Sequence, residues 1–160
     1  MQVESLTSVT ITRETPLQDD VRRFVAELNA HLQPLSPPEF QFQMTVEQMA
    51  GPDTHVFVAR DETGRAVGMG SLKRLDDTTG ELKRMYTLPE VRGQRVGKRI
   101  VDRLETHARQ LGLSRLKLET GAESFMPEAH RLYQRAGYTP CPAFADYPDS
   151  EYSAFYERAL

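Results

Sequence analysis

The feature that most narrows the folds open to this chain is a change of hydrophobic period across one short basic turn. Glu81-Leu82-Lys83-Arg84-Met85-Tyr86-Thr87-Leu88 reads as a strand closed by Pro89, whereas Ile100, Val101, Leu104, Ala108 and Leu111 recur at helical spacing. Between them lies Val91-Arg92-Gly93-Gln94-Arg95-Val96-Gly97-Lys98. A turn that opens a helix presents unpaired backbone N–H groups at the positive end of the helix dipole. Gly93 and Gly97 let a ligand come close to that backbone, and Arg92, Arg95 and Lys98 add positive charge. The physics suits a phosphate-bearing ligand, a diphosphate foremost. Taken alone, a glycine motif this short reads equally well as a solvated basic turn.

The neighbouring segments extend the pattern. Val9-Thr10-Ile11 alternates with polar residues as a strand does, and Thr15-Pro16 reads as the start of a helix carrying Val21, Phe24, Val25 and Leu28 to about His31. Pro34, Pro37 and Pro38 make residues 35–42 a loop, and a short helix is expected around Val46 to Ala50. His55–Ala59, the connection Asp61–Gly64 and Ala66–Leu75 form a hairpin, and Asp76–Gly80 turns into the strand at 81–88. The helix from Gly97 to Leu111 stops at Gly112, followed by a strand over Leu113–Thr120, a helix over Glu128–Arg135 stopped by Gly137, and a last strand near Tyr152–Glu157. The order β-α-α-β-β-β-α-β-α-β-β predicts an α/β (α+β) fold. Its central sheet is mixed and mostly antiparallel, with helices on both faces, in one domain over residues 1–160.

Within 81–88 the apolar residues at 82, 85, 86 and 88 do not hold a period of two. The strand is either buried on both faces or carries a β-bulge that shifts its register midway.

Composition excludes more than it selects. Net charge of −3 gives no basic field for nucleic acid, and no apolar run is long enough for a membrane span. Met1, Gln2, Glu4 and Thr7 do not read as a secretory leader, and the lone Cys141 fits a reducing compartment, so a cytoplasmic location is expected. His55, His107 and His130 have no metal-ligand spacing and read as surface or packing residues; no metal is expected.

Two motifs together resemble the GNAT superfamily, the Gcn5-related N-acetyltransferases. Arg92, Gly93, Gln94, Arg95, Val96 and Gly97 match its acetyl-CoA motif [Q/R]-x-x-G-x-[G/A], with Arg95 where Gly is commonest. Leu132-Tyr133-Gln134-Arg135-Ala136-Gly137-Tyr138 matches the later L-Y-x-x-x-G-[F/Y] signature. The agreement runs from about residue 55 to 140. The run Gly80–Tyr86 with Leu118-Glu119-Thr120-Gly121 looks like a bacterial group of small acetyltransferases.

The resemblance implies a GNAT acyl-CoA N-acyltransferase fold and acetyl-CoA as co-substrate. The diphosphate would sit on the backbone N–H groups of Gln94 to Lys98, with Arg92 or Lys98 on phosphate oxygens. GNAT proteins carry a bulge in the strand equivalent to 81–88, so Met85 and Thr87 would pair with the pantetheine amides as an added strand does. Met85, Tyr86, Thr87, Arg92, Gly93, Gln94, Arg95, Val96, Gly97, Lys98, Glu119 and Met126 form the expected cofactor set. Met126 stands where many relatives carry an Asn.

The implied catalytic residues are Tyr133, as general acid for the departing thiolate, and a carboxylate that frees the amine. Glu81 is the first candidate base and Glu119 the second; as residues alone, both also read as strand-end charges, and Tyr133 as a core aromatic. The implied activity is N-acetyltransfer to a primary amine of a small molecule in a ternary complex. A protein N-terminal or lysine acetyltransferase and a non-catalytic acyl-CoA-binding module are the alternatives. The acceptor cleft is expected from residues 32–44, 76–80 and 138–151, with Asp76, Asp77, Asp146, Asp149 and Glu151 as an acidic rim for a cationic acceptor. GNAT proteins of this kind are often dimers, but no residue here demands a homodimer.

Overall fold

The computed structural model of the protein describes residues 8–160; the leader reading on Met1 to Thr7 lies outside them. In chain order the elements are β1 (Thr10–Arg13), α1 (Asp19–Leu32), α2 (Val46–Met49), β2 (Thr54–Arg60), β3 (Ala66–Arg74), β4 (Thr79–Thr87), α3 (Val96–Gln110), β5 (Arg115–Gly121), α4 (Pro127–Arg135), β6 (Thr139–Pro140) and β7 (Ser153–Ala159). β1 to β4 form an antiparallel meander, β5 joins β4 in parallel, and β7 runs antiparallel to both β5 and the short edge strand β6. The seven strands lie in the order β1-β2-β3-β4-β5-β7-β6, the expected mixed and mostly antiparallel sheet. α3 supplies the crossover that a parallel pair requires.

Helices cover both faces. α3 lies over the glycines of β3: a Cβ at Gly70 would come within 2.6 Å of Ile100 Cγ2 and of Met85 Sδ. Here glycine is what lets helix and sheet approach. On the other face α1 buries Val21, Phe24, Val25 and Leu28, with the Phe24 ring 5.5 Å from that of Tyr86. α3 ends in a Schellman motif, Gly112 at φ 81° with Leu113 N–H bonded to the Ala108 carbonyl.

Two local expectations shift. α1 starts at Asp19 and not at Pro16, because the Thr15 hydroxyl accepts the Leu17 N–H in a turn upstream and Gln18 takes the extended cap position. The predicted loop over 35–42 holds proline-led 3-10 turns at Gln33–Leu35 and Pro38–Phe40, tied together by Gln41 Nε2 donating to the carbonyls of Gln33 and Ser36.

The irregular period of β4 resolves as a bulge. Met69 pairs with Tyr86 but Ser71 pairs with Lys83, so β4 carries one extra residue, and Arg84 sits there at φ 54°. Alternation reverses across it. Arg84 bonds Asn29 of α1, Tyr86 also reaches α1 at Glu27, and Met85 turns under α3. Pairing between β4 and β5 stops at Leu82 and Leu118. Beyond that point the two strands part, and the edge of β4 that faces β5 has no strand partner.

Candidate active site

Two clefts open where β4 and β5 part. The first runs along the end of β4 to the N-terminus of α3. Thr87, Arg92, Gly93, Arg95, Val96, Gly97 and Lys98 line one wall and Arg131, Leu132 and Arg135 of α4 the other. Arg95 caps α3 in the left-handed region, φ 64° and ψ 18°, with no side-chain bond to the helix end. A non-glycine residue held there costs on the order of 1 kcal/mol. The first-turn N–H groups of Val96, Gly97 and Lys98 have no intrahelical acceptor, as in any helix, so they are free for an anion. The Gln94 N–H is not, since it bonds the Val91 carbonyl at 3.2 Å.

The second cleft is a cavity on the α1 face. Its floor is β4 and β5, with Glu81, Lys83, Arg84 and Glu119, and it is walled by Leu28 and Leu32 of α1. Residues 35–43 approach from one side and Tyr147 and Tyr152 from the other. These two segments meet: Phe42 lies 5.1 Å edge-on from Tyr147, and Phe40 lies 5.3 Å from Tyr152. Aromatic contacts therefore join the two segments that flank the cavity. Leu28, Met85, Met126 and Ala129 line both clefts, so the groove and the cavity meet at the β4–β5 split.

Tyr133 lines the cavity from α4. It is 6% exposed, and among the described residues its hydroxyl makes no hydrogen bond while its ring stacks edge-on against Tyr138 at 6.0 Å. Burial, with the Glu119 carboxylate adding to it, pushes the phenol well above its ordinary range. At neutral pH it is a hydrogen-bond donor.

The two carboxylates differ. Glu81, 3% exposed, is occupied: the Tyr147 hydroxyl donates to its Oε2 at 2.5 Å, and Lys83 Nζ lies 3.4 Å from the same oxygen and donates to Tyr147 at 2.6 Å. Glu119 forms no ion pair among the described residues, and its burial raises its pKa, opposed by the Ser153 hydroxyl and by Lys83, with Glu81 adding to the rise. A carboxylate with raised basicity facing a cavity is suited to take a proton.

Several sequence readings change here. Glu119, expected with the cofactor set, lines the cavity and not the groove, because alternation along β5 puts it on the α1 face. Gln94 turns away from the groove, its side chain near the Glu90 carbonyl. Lys98 pairs with Asp102, and Arg92 donates to the Thr87 carbonyl at 3.3 Å. Arg131 and Arg135 add positive charge that sequence reasoning missed; their spacing of four on α4 was the available signal. The 76–80 turn lies away from the cavity, tied to the start of β5 by the Ser114 N–H to Thr78 carbonyl bond. None of Asp76, Asp77, Asp146, Asp149 and Glu151 lines the cavity, and Asp76 instead caps its own turn at Thr78 and Thr79. Met126 stands at the junction of the two clefts. Among the described residues no helix is long and apolar enough to cross a membrane.

Comparison with known proteins agrees with this architecture. A profile of the Acetyltransferase (GNAT) family matches residues 21–138. The chain is 37% identical over 154 residues to the IAA acetyltransferase of Azospirillum brasilense, covering 96% of this chain and 99% of that one. A crystal structure from Klebsiella pneumoniae, classed among acyl-CoA N-acyltransferases, matches at a TM-score of 0.80 and 32% identity over 95% of this chain and 97% of that one. The fold extends to a GNAT family acetyltransferase of Elizabethkingia anophelis crystallised with acetyl-CoA bound, at a TM-score of 0.63 and 14% identity, covering 96% and 99% of the two chains.

Proposed function

The chain belongs to the GNAT acetyltransferase family, and we propose that it transfers an acetyl group from acetyl-CoA directly to the amine of a small molecule held in the cavity beside Glu119 and Tyr147. Acetyl-CoA would supply the activated acyl group as a thioester. The chain's residues bind, orient and move the proton. The N–H groups of Val96, Gly97 and Lys98 hold the diphosphate at the positive end of α3, with Arg92, Arg95, Arg131 and Arg135 around it. The free edge of β4 at Met85 and Thr87 takes the pantetheine arm as an added strand, and the Met85 backbone polarises the acetyl oxygen.

Glu119 takes the proton of the acceptor ammonium, directly or through a water, so that the nitrogen lone pair can attack the thioester carbon. The C–N bond forms, the C–S bond breaks, and the surplus proton left on the nitrogen passes to the departing thiolate, to which Tyr133 donates a hydrogen bond. Glu81 is a positioning residue, fixing Lys83 and Tyr147 in the cavity lining. Much of the rate comes from holding amine and thioester together.

The observation that carries the small-molecule reading is the pair of aromatic contacts, Phe42–Tyr147 and Phe40–Tyr152, that join the segments on either side of a cavity whose lining also bounds the cofactor groove. A polypeptide acceptor needs an open channel there. The test is calorimetric titration with acetyl-CoA beside adenosine diphosphate, then thiol release with a panel of small amines and of amine-bearing peptides. Micromolar acetyl-CoA binding with turnover of small amines is expected. Turnover of peptides alone would overturn the small-molecule reading, and tight binding with no turnover of any amine would leave a binding module.

A further inference from the structure

From the cavity around Arg84 we infer that the acceptor bears a carboxylate besides its amine, as an amino acid with an apolar side chain does, and that Arg84 is the residue that recognises it. The inference rests on the small-molecule reading above and names the substrate class.

Arg84 is 8% exposed and lines the acceptor cavity. Among the described residues its guanidinium forms no ion pair: one Nη donates to Asn29 Oδ1, and its Nε is buried with no hydrogen-bond partner. Burial holds its pKa down to about 10, so it is still a cation at neutral pH. An unpaired buried charge is costly unless a counter-charge arrives, and a ligand carboxylate in the cavity would supply one. The carboxylates of the cavity do not fill that role. Glu81 is engaged by Tyr147 and Lys83, and the cation acting on Glu119 is Lys83.

The backbone also points to a role. Strict alternation along β4 would turn residue 84 away from Lys83, but the bulge brings both to the α1 face and holds Arg84 at φ 54°. A left-handed conformation at an arginine is strain kept for its position. Gln43 supplies a second unpartnered buried donor, its Nε2, in the lining of the same cavity. The rest of the wall is apolar and aromatic, including Leu32, Phe40, Phe125 and Tyr152. A guanidinium, an amide donor, a basic carboxylate in Glu119 and apolar walls match the carboxylate, amine and side chain of an apolar amino acid.

The experiment compares thiol release from acetyl-CoA with three acceptors of one shape: phenylalanine, its primary amide and phenethylamine, with leucine and its counterparts as a second set. Wild-type protein is expected to favour the acid over the amide by roughly 100-fold in kcat/KM, the scale of one charge-assisted pair. Arg84→Gln is expected to reduce that preference to within about threefold, with Arg84→Lys between, while acetyl-CoA affinity by calorimetry stays unchanged. Equal turnover of acid and amide by wild-type protein would overturn the inference and leave the acetyltransfer reading standing. A preference that survives in an Arg84→Gln protein that still binds acetyl-CoA would overturn it too. Turnover of none of the amines would remove the reading beneath it and the inference with it. Should Arg84→Gln fail to fold, the wild-type comparison decides alone.

Discussion

Replacing Tyr133 by phenylalanine separates a catalytic hydroxyl from a packing ring. The ring is buried and packs edge-on against Tyr138, contacts that phenylalanine keeps, while the hydroxyl makes no hydrogen bond among the described residues. Deleting a buried hydroxyl without a partner removes no bond, so stability should change by less than about 0.5 kcal/mol. If that hydroxyl instead meets the departing thiolate, the variant loses a hydrogen bond to a charged group, worth about 1.5–3 kcal/mol. At about 1.4 kcal/mol per tenfold, kcat should fall by about 10- to 150-fold. Acetyl-CoA affinity should hold, because the diphosphate and pantetheine contacts lie elsewhere. The phenol titrates above its ordinary value, so the ratio of wild-type to variant rates should be flat across neutral pH. The assay is thiol release with a competent amine, beside thermal denaturation of both proteins. A kcat within twofold of wild type, or a kcat loss matched by a fall in melting temperature, would refute the reasoning.

Two further outcomes are expected. In Gly97→Leu, a Cβ meets Leu132 Cδ2 at an ordinary 3.4 Å, so the helix accepts the change, but the longer side chain enters the groove between α3 and α4. Acetyl-CoA affinity by calorimetry should drop roughly 10-fold or more while the melting temperature stays or rises; unchanged affinity would sink the placement of the diphosphate. Glu119→Gln should remove the ascending limb of the pH–rate profile, a limb that in wild type lies above the ordinary carboxylate value of 4.5, and should cost about 100-fold or more in kcat. The native pKa is raised, so the native state holds its proton longer than the unfolded chain; that stabilisation is full below 4.5 and is lost as pH rises through the raised native value. Wild type should thus lose stability relative to Glu119→Gln over that window, measured by denaturant titration at several pH values. Parallel stability curves would show that Glu119 is not the desolvated group.

The bulge in β4 lies between what was legible and what was not. The broken period at residues 82, 85, 86 and 88 showed that something interrupts the strand, but burial on both faces explained it equally. The pairing of Ser71 with Lys83 against Met69 with Tyr86 decides for the bulge. Arg84 gave no signal, since a basic residue beside Lys83 reads as one side of a solvated strand. Glu119 shows the same limit: its residue type pointed to proton transfer or to ligand contact, and only its face on β5 assigns it to the cavity.

What the sequence determined by itself is local: the strand–turn–helix at residues 82–111, the glycine stops at Gly112 and Gly137, the hairpins, the order of elements and, through two motifs, the family. Periodicity, capping and turn chemistry act over a few residues, so they can be read from a few residues. The cavity is decided by the tertiary structure. Its flanks join Phe42 to Tyr147, its floor joins Glu81 to Glu119, and Arg84 enters it because a bulge and the end of β4–β5 pairing open the sheet there. Those neighbours are brought together by burial of apolar surface across the whole sheet. That force is non-directional and leaves no mark in the spacing of the residues it joins.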